Sequence, residues 1–179
     1  MVAQFRRARK GGVSVTFGQA ETRILRHVLL EMLTLLGPED APSDDPLAAA
    51  LGIGTSTEPP SDPALARLFP DGYRDDPEAS ADFRRYTEPT LREAKRAAAR
   101  KALETIGEPG HRQVLDLEQA QAWLRALNDT RLVLGERLGV TEELEQLIES
   151  LDEDDPRLGL LWVYDRLTYL QETLVRALW

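Results

Sequence analysis

Apolar side chains recur at intervals of three and four residues over three long stretches of the chain, which is the period of an amphipathic α-helix. The first predicted helix covers residues 19–36 and is followed by Gly37, a typical helix-ending residue. The second covers residues 117–138 and is followed by Gly139. The third covers residues 156–179. These three segments carry most of the strongly apolar positions, so they are expected to form the centre of a helical bundle.

Shorter helical segments are predicted between the long ones. Residues 64–68 form a brief helix, and residues 77–86 form another that Pro89 is expected to break or kink. Thr90 and Glu93 have the spacing of a capping box, which predicts a new helix over residues 90–106. A short acidic helix is predicted over residues 141–151.

The β-content is predicted to be small and to lie mainly near the N-terminus. Residues 4–9 and 12–17 alternate between apolar and polar around Gly11-Gly12, a pattern typical of a hairpin. Residues 113–115 can add a short third strand. The sequence therefore predicts one mainly α domain over residues 1–179, a bundle of about five or six helices with a small N-terminal β-hairpin.

One internal segment has a different composition from the rest of the domain. Residues 38–62 are rich in proline and in acidic residues and lack a sustained apolar period. Such a composition buries little apolar surface. We therefore expect a mobile loop at residues 38–62.

Composition and charge exclude several classes of function. The chain has no cysteine, which excludes disulfides, thiol catalysis and thiolate metal sites. No apolar run is long enough for a signal peptide core or a membrane span, and a cytoplasmic protein with no membrane partner is expected. The net charge of −9 disfavours nucleic acid as a partner, because the phosphate backbone is also negative.

Residues that usually carry catalysis or bind metals are sparse. His27 and His111 are the only histidines, and they show no metal-ligand spacing. No serine lies in a nucleophile motif. The acidic pairs that end at Asp76 and Asp155 directly precede a proline, where the second acid is a typical helix N-cap. We therefore predict no metal, no cofactor and no catalytic residue.

A basic stripe on the predicted helix 90–106 is a candidate contact for phosphate or for an acidic partner. Its members recur at helical spacing, and no aromatic residue interleaves them for base stacking. A solvated helix face paired with the chain's own acidic segments is the simpler interpretation, and both remain open. The stripe consists of Arg92, Lys95, Arg96 and Arg100.

The last predicted helix carries a second apolar face in addition to its core stripe. Leu158, Trp162 and Tyr169 lie roughly opposite the core leucines at 100° per residue. A second aromatic face is typical of a bundle-interior helix or of a protein interface. We therefore treat these three residues as a possible homodimer or partner contact.

Two motifs combine charged and aromatic residues in a chain with few aromatics. The first is RLFPDGYRDD at residues 67–76, and the second is WLRALNDTRLVLGERL at residues 123–138. An arginine buried among the leucines of the second motif needs a carboxylate partner, and Asp71, Asp75 or Asp76 can supply it. A polar network that joins the motifs is therefore predicted. The partner-binding candidates are Arg67, Phe69, Asp71, Tyr73, Arg74, Asp75, Trp123, Asn128, Asp129, Arg131 and Arg137.

The first motif extended to ALARLFPDGYRDD at residues 64–76, FRRYTE at residues 83–88 and the second motif together resemble an actinobacterial family catalogued as domain of unknown function 2017. The resemblance spans most of the chain and covers residues 38–62 least. It implies a link to oxidative-stress regulation through a sigma-factor partner and a cysteine-pair switch. It also implies that the gene for this protein lies near the gene for the protease adaptor ClpS. A thiol switch cannot operate here, because the chain has no cysteine.

The leading hypothesis is a cytoplasmic, non-enzymatic regulatory or adaptor protein that acts by protein contact, in a transcriptional stress response if the resemblance holds. One alternative is a DNA-binding transcription regulator that uses the basic helix segment 92–101. Another is an enzyme with a carboxylate/arginine site built from the two motifs. The sequence favours the non-enzymatic hypothesis because no catalytic motif is present.

Overall fold

The computed structural model describes residues 3–9, 11–37, 54, 57–141, 148, 151–152 and 154–179. Within these ranges the chain forms five helices and three short strands. In chain order they are β1 (Arg6–Arg7), β2 (Val13–Thr16), α1 (Gln19–Leu36), α2 (Pro63–Leu68), α3 (Pro77–Thr105), β3 (Arg112–Leu115), α4 (Leu117–Leu138) and α5 (Arg157–Leu178). The predicted mainly α fold with a small N-terminal sheet is confirmed.

Two predicted segments fall largely outside the described residues. These are the mobile loop at residues 38–62, of which residues 54 and 57–62 are described, and the acidic helix at residues 141–151, of which residues 141, 148 and 151 are described. None of the helices in the described ranges is long and apolar enough to cross a membrane.

The three strands form an antiparallel sheet in the order β1-β2-β3, so the predicted third strand is confirmed. Val13 pairs with Arg7 on one side and with Leu115 on the other. Gly12 has a φ of 78°, and a Cβ atom there would collide with the carbonyl oxygen of Leu115. Glycine is therefore required at residue 12, in the turn between β1 and β2, where the backbone passes close to the end of β3.

The core lies where the sheet packs against the long helices. Three aromatic rings meet there. The ring centroids of Phe5, Phe17 and Trp123 lie between 5.4 and 6.0 Å apart in all three pairs. The indole Nε1 of Trp123 donates to Thr105 Oγ1 at 2.9 Å, so the one polar atom of this buried ring is satisfied. Helices α4 and α5 also bury Leu170 in this cluster.

The N-cap predicted at Asp76 is present, whereas Asp155 is not the cap residue of α5, which is Pro156, although the Asp155 carboxylate accepts from the Arg157 amide. Aspartates also cap α2 and α4. Asp62, Asp76 and Asp116 each accept a hydrogen bond from a backbone amide in the first turn of α2, α3 and α4, respectively. Asp116 also forms a reciprocal capping box with Gln119. These carboxylates therefore satisfy amides that a helix start leaves without partners.

Helix α3 continues through Pro89, and this corrects the prediction of two helices divided at residues 87–89. Pro89 has no N–H to give to the carbonyl of Arg85, which would cost stability in a helix interior. The backbone amide of Gly54 donates to that carbonyl instead, at 2.8 Å. Because the carbonyl is satisfied from outside the helix, α3 runs unbroken from Pro77 to Thr105, and Thr90 does not cap a helix.

Candidate functional site

Three aromatic rings are exposed around the start of α3, and we call them the aromatic surface. Tyr73 is 52% exposed, Phe83 is 45% exposed and Tyr86 is 57% exposed. The rings of Tyr73 and Phe83 meet edge to face with their centroids 6.1 Å apart. Phe83 and Tyr86 are three residues apart on one helix, which makes them neighbours. Tyr73 and Phe83 are therefore in contact, and Tyr86 is exposed one helical turn along α3 from Phe83 without a ring contact to either.

Tyr73 is held on the helix by its own backbone. The Ser80 hydroxyl donates to the Tyr73 carbonyl at 2.7 Å, and the Tyr73 amide donates to the same hydroxyl oxygen at 3.1 Å. Gly72 lies directly over the ring of Phe83, where a Cβ atom would come within 2.6 Å of that ring. The residues before α3 are thus fixed closely against it, and the aromatic surface has a defined backbone.

A buried arginine beneath this loop holds it from the inside. Arg84 is 4% exposed and donates to Asp71 Oδ1 at 2.7 Å, to the Phe69 carbonyl at 3.1 Å and to Glu88 Oε2 at 2.9 Å. Burial acts to lower the pKa of Arg84, but the bonds to Glu88 and Asp71 outweigh it, so this pKa is raised above its ordinary value. Arg84 therefore stays charged and ties the loop to α3.

The network continues from Glu88 to the end of α1. The other carboxylate oxygen of Glu88 accepts from Arg92 Nη2 at 2.5 Å, and Arg92 Nη1 donates to the Leu36 carbonyl at 2.8 Å. The guanidinium of Arg92 also stacks 4.5 Å from the centroid of the Phe69 ring. One chain of charge-assisted contacts thus connects the loop before α3 to the C-terminus of α1.

The rest of the basic stripe is also bonded within the fold. Arg96 is buried and donates to the Gly37 carbonyl at 2.7 Å, so two arginines lie at the negative end of the α1 dipole. Lys95 pairs with the buried Asp129 of α4 at 2.9 Å. Arg100 is exposed and contacts Glu93 at 3.4 Å. Most of the stripe therefore ties α3 to α1 and α4 instead of forming a solvated face.

The two sequence motifs are joined differently from the prediction. Asp71 pairs with Arg84 of α3 and not with an arginine of residues 123–138, so that part of the predicted network is wrong. Arg137 pairs instead with Asp62, at 2.5 Å, and this bond holds the pKa of the Asp62 carboxyl below its ordinary value. The cation that pairs with Asp71 therefore comes from α3, whereas the sequence pattern predicted that it would come from α4.

The remaining motif residues divide between the interior and the surface. Phe69 and Trp123 are buried in the core. Arg67, Arg74 and Asp75 are exposed, and none of them makes a side-chain bond to the described part of the chain.

The motif residues Asn128 and Arg131 face α5. Asn128 accepts from Gln171 at 3.3 Å, and the Arg131 guanidinium lies 6.0 Å from the Tyr164 ring centroid. They therefore contribute to helix packing and lie apart from the aromatic surface.

The second face of α5 is a separate exposed patch. Trp162 is 54% exposed and Tyr169 is 37% exposed, while Leu158 is half-buried. The guanidinium of Arg166 stacks 4.9 Å from the Tyr169 ring centroid and pairs with Glu21 of α1 at 2.5 Å. Arg166 therefore fixes one ring of this patch.

A groove of about 710 Å³ runs between α1, α4 and α5, and it is not among the sites predicted from the sequence. Its floor and walls are mainly apolar and include Val28, Val133 and Leu160, with His27 and Arg137 among the polar residues that line it. Each helix contributes an ordinary apolar stripe, so only the packing of all three reveals the groove. Within the described ranges no cluster of histidine and acidic side chains is placed to hold a metal ion.

Comparison with known proteins places this arrangement in a family. Residues 2–178 match the family described as domain of unknown function (DUF2017). The chain belongs to the DUF2017 family. No solved structure matches it.

The DUF2017 chain is also similar to curated mycobacterial proteins. It is 37% identical to a Mycobacterium tuberculosis protein named oxidative stress regulator AosR, over 173 residues that cover 88% of this chain and 78% of the relative. It is 34% identical, with the same coverage, to a Mycobacterium leprae protein named putative oxidative stress regulator AosR.

Sequence reasoning found Tyr73 in this DUF2017 chain but missed Phe83, Tyr86, Arg84 and Glu88. The sequence FRRYTE contains the pattern that could have identified them. Its two aromatic residues are three positions apart, and Arg84 precedes Glu88 by four positions, so each pair can share one helix face. Burial of a charged pair cannot be read from that spacing, since exposed pairs on a helix have the same pattern.

Proposed function

We propose that this protein is a non-enzymatic regulator that acts by binding another protein through the aromatic surface. The single observation that carries the proposal is the exposure of Tyr73, Phe83 and Tyr86 around the start of α3 on a backbone fixed by the buried Arg84. Tyrosine and other large aromatics are enriched among the residues that dominate binding energy at interfaces. A contact function needs such rings to be accessible, and here they are.

The buried network supports the proposal through preorganisation. A flexible loop would lose conformational entropy when a partner orders it, and this loss weakens binding. Here Asp71 and the Phe69 carbonyl are already held by Arg84, and Tyr73 is held by Ser80. The aromatic surface can therefore meet a partner with little further ordering of its backbone.

The regulatory part of the proposal comes from the relatives, which are named oxidative stress regulators. The present chain has no cysteine, so it cannot sense an oxidant by thiol chemistry. In this proposal the signal reaches the protein through the identity or abundance of its partner.

The proposal is tested by affinity capture of the tagged full-length protein from cells of its source organism, with quantification of bound proteins by mass spectrometry. Tyr86→Ala and Tyr73→Ala are each compared with wild type. Trp179→Ala is the matched control, because Trp179 is 79% exposed and lies at the far end of α5. We expect a protein captured by wild type and by the control to be lost from both tyrosine variants.

Identical partner sets for wild type and both tyrosine variants would contradict the proposal. Circular dichroism and thermal melting of each variant show whether the fold is retained. Tyr86 makes no ring contact with Tyr73 or Phe83, so its variant separates a lost contact from a disturbed loop.

A further inference from the structure

We infer that the aromatic surface binds a basic polypeptide segment, one that carries several arginines beside apolar side chains. This inference rests on the proposed contact function and specifies the chemistry of the partner. It follows from the charges that surround the three rings and from the hydrogen bonds that already fix some of those charged groups in place.

Acidic side chains predominate around the rings. Between residues 71 and 86 the chain has five carboxylates and three arginines. One of the arginines, Arg84, is buried and already bonded to two carboxylates, while Arg85 is half-buried and lies 3.7 Å from the carboxylate of Asp82. All five carboxylates are exposed, and they are Asp71, Asp75, Asp76, Glu78 and Asp82. The surface therefore presents negative charge that its own cations offset only in part.

The acids and the rings are interleaved in a way that suits an amphipathic partner. Glu78, Asp82 and Tyr86 recur at four-residue spacing, so they form one row along α3. Phe83 lies beside that row and contacts Tyr73. A segment lying across α3 would meet apolar ring surface and carboxylate oxygens within the same footprint.

Two of the carboxylates have one oxygen fixed and one available. Asp71 Oδ1 accepts from Arg84, and the Asp71 side chain is still 51% exposed. Asp76 Oδ1 accepts from the Ala79 amide at the start of α3. Acceptors that are oriented before binding lose less entropy when a partner arrives, and carboxylates bond guanidinium groups especially well.

The combination of rings and carboxylates favours arginine over lysine. A guanidinium can stack flat on an aromatic face while it donates in its plane to a carboxylate, whereas an ammonium cannot do both equally well. The fold contains the same arrangement internally, where Arg92 stacks on Phe69 and bonds Glu88. An acidic peptide would be repelled by the same surface.

The test uses the full-length protein and fluorescein-labelled synthetic peptides in which arginines alternate with pairs of leucine and alanine. Parallel peptides replace every arginine with lysine or with glutamate. By fluorescence anisotropy we expect the arginine peptide to bind about threefold more tightly than the lysine peptide. The glutamate peptide should not bind, and the affinity of the arginine peptide should fall as salt rises.

The site is located by matched variants. Tyr86→Ala and Asp82→Asn should each weaken binding of the arginine peptide by at least about fivefold. Trp179→Ala and Glu118→Gln are the controls, because they remove an exposed ring and an exposed carboxylate elsewhere on the molecule, and they should leave the affinity unchanged. Equal losses for Asp82→Asn and Glu118→Gln would overturn the inference, since they would indicate diffuse attraction to an acidic protein.

Two further outcomes would also overturn it. One is equal binding of the arginine and glutamate peptides. The other is a fall in mass by light scattering in Tyr86→Ala, which would make a second copy of this chain the occupant. If the peptides fail but Tyr86→Ala still loses a protein captured from cells, the partner chemistry is wrong and the contact function stands. If both experiments fail, the contact function is wrong as well.

Discussion

The backbone amide of Gly54 donates to the carbonyl oxygen of Arg85 at 2.8 Å, at the position where Pro89 leaves that carbonyl without its helical donor. A residue outside α3 thus completes the hydrogen bonding of α3. The approach is so close that a Cβ atom on residue 54 would lie 2.8 Å from Cγ of Pro89. Glycine at residue 54 is therefore part of how the fold tolerates a proline in a long helix.

Gly54→Ala should consequently destabilise the protein. The added methyl group collides with Pro89 and pushes the amide away from Arg85, at a cost of about 1–3 kcal/mol in the free energy of unfolding. Urea unfolding followed by circular dichroism measures this. Gly159→Ala is the control, because no atom lies within 4 Å of a Cβ there, and alanine in a helix should stabilise by up to about 1 kcal/mol. Equal stability of Gly54→Ala and wild type would refute the role given to residue 54.

Glu88→Ala should cost much more than a similar change on the surface. It leaves the buried Arg84 and the partly buried Arg92 without their shared carboxylate, which should lower the free energy of unfolding by about 3 kcal/mol. Glu172→Ala removes another carboxylate with an arginine four residues away, but that pair is exposed, so it should cost less than about 0.5 kcal/mol. Chemical denaturation of both variants provides the comparison. Similar losses in the two would show that the burial of Glu88 does not matter.

The pair of Asp62 and Arg137 should make stability depend on acid pH. The hydrogen bond from Arg137 lowers the pKa of the folded Asp62 carboxyl below its ordinary value of 3.8. A depressed folded pKa gives stability that is present above the unfolded pKa and is lost as pH falls through the folded pKa. Asp62→Asn keeps a capping side chain and removes the charge. Wild type should therefore exceed the variant in stability at neutral pH and lose that advantage below about pH 3.8.

Urea titrations of both proteins at a series of pH values measure the difference between them. A difference that stays constant from neutral to strongly acid pH would argue against the charge of Asp62 as its source.

The exposed face of α5 is tested by introducing a charge at Trp162. If Trp162 joins two copies of the chain, Trp162→Glu should halve the mass measured by light scattering, because a buried carboxylate without a partner is costly at an interface. Circular dichroism checks that the variant folds. An unchanged mass together with an unchanged fold would remove the homodimer hypothesis for this face.

The course of α1 was predictable from sequence because its signals are local. Apolar residues at helical spacing end at Leu36, and Gly37 stops the helix with a φ of 75°. The continuity of α3 was not predictable, because the donor that compensates Pro89 comes from Gly54, far away in the sequence. Local rules state the cost of a proline correctly, but they cannot reveal a distant group that removes it.

The same distinction explains the candidate site. The sequence pattern identifies Tyr73 as an aromatic residue in a charged turn. The same pattern assigns the partner of Asp71 to the wrong helix. Arg84 binds that carboxylate because it projects from α3 toward the residues before the helix, where it also bonds the Phe69 carbonyl. Which of several arginines reaches a carboxylate depends on the packing of helices, and the sequence pattern alone does not contain that information.

The bonds at Gly37, Gly54 and Asp62 have a consequence for how this protein can vary. Arg96 holds the carbonyl of Gly37, the backbone of α3 holds the amide of Gly54, and Arg137 holds the carboxylate of Asp62. Chain added between the first two points leaves all three attachments in place, and the entropic cost of closing a loop rises by only about 0.6 kcal/mol for each doubling of loop length. The interval between Gly37 and Gly54 is therefore the natural position for length differences among homologues and for an inserted tag or reporter.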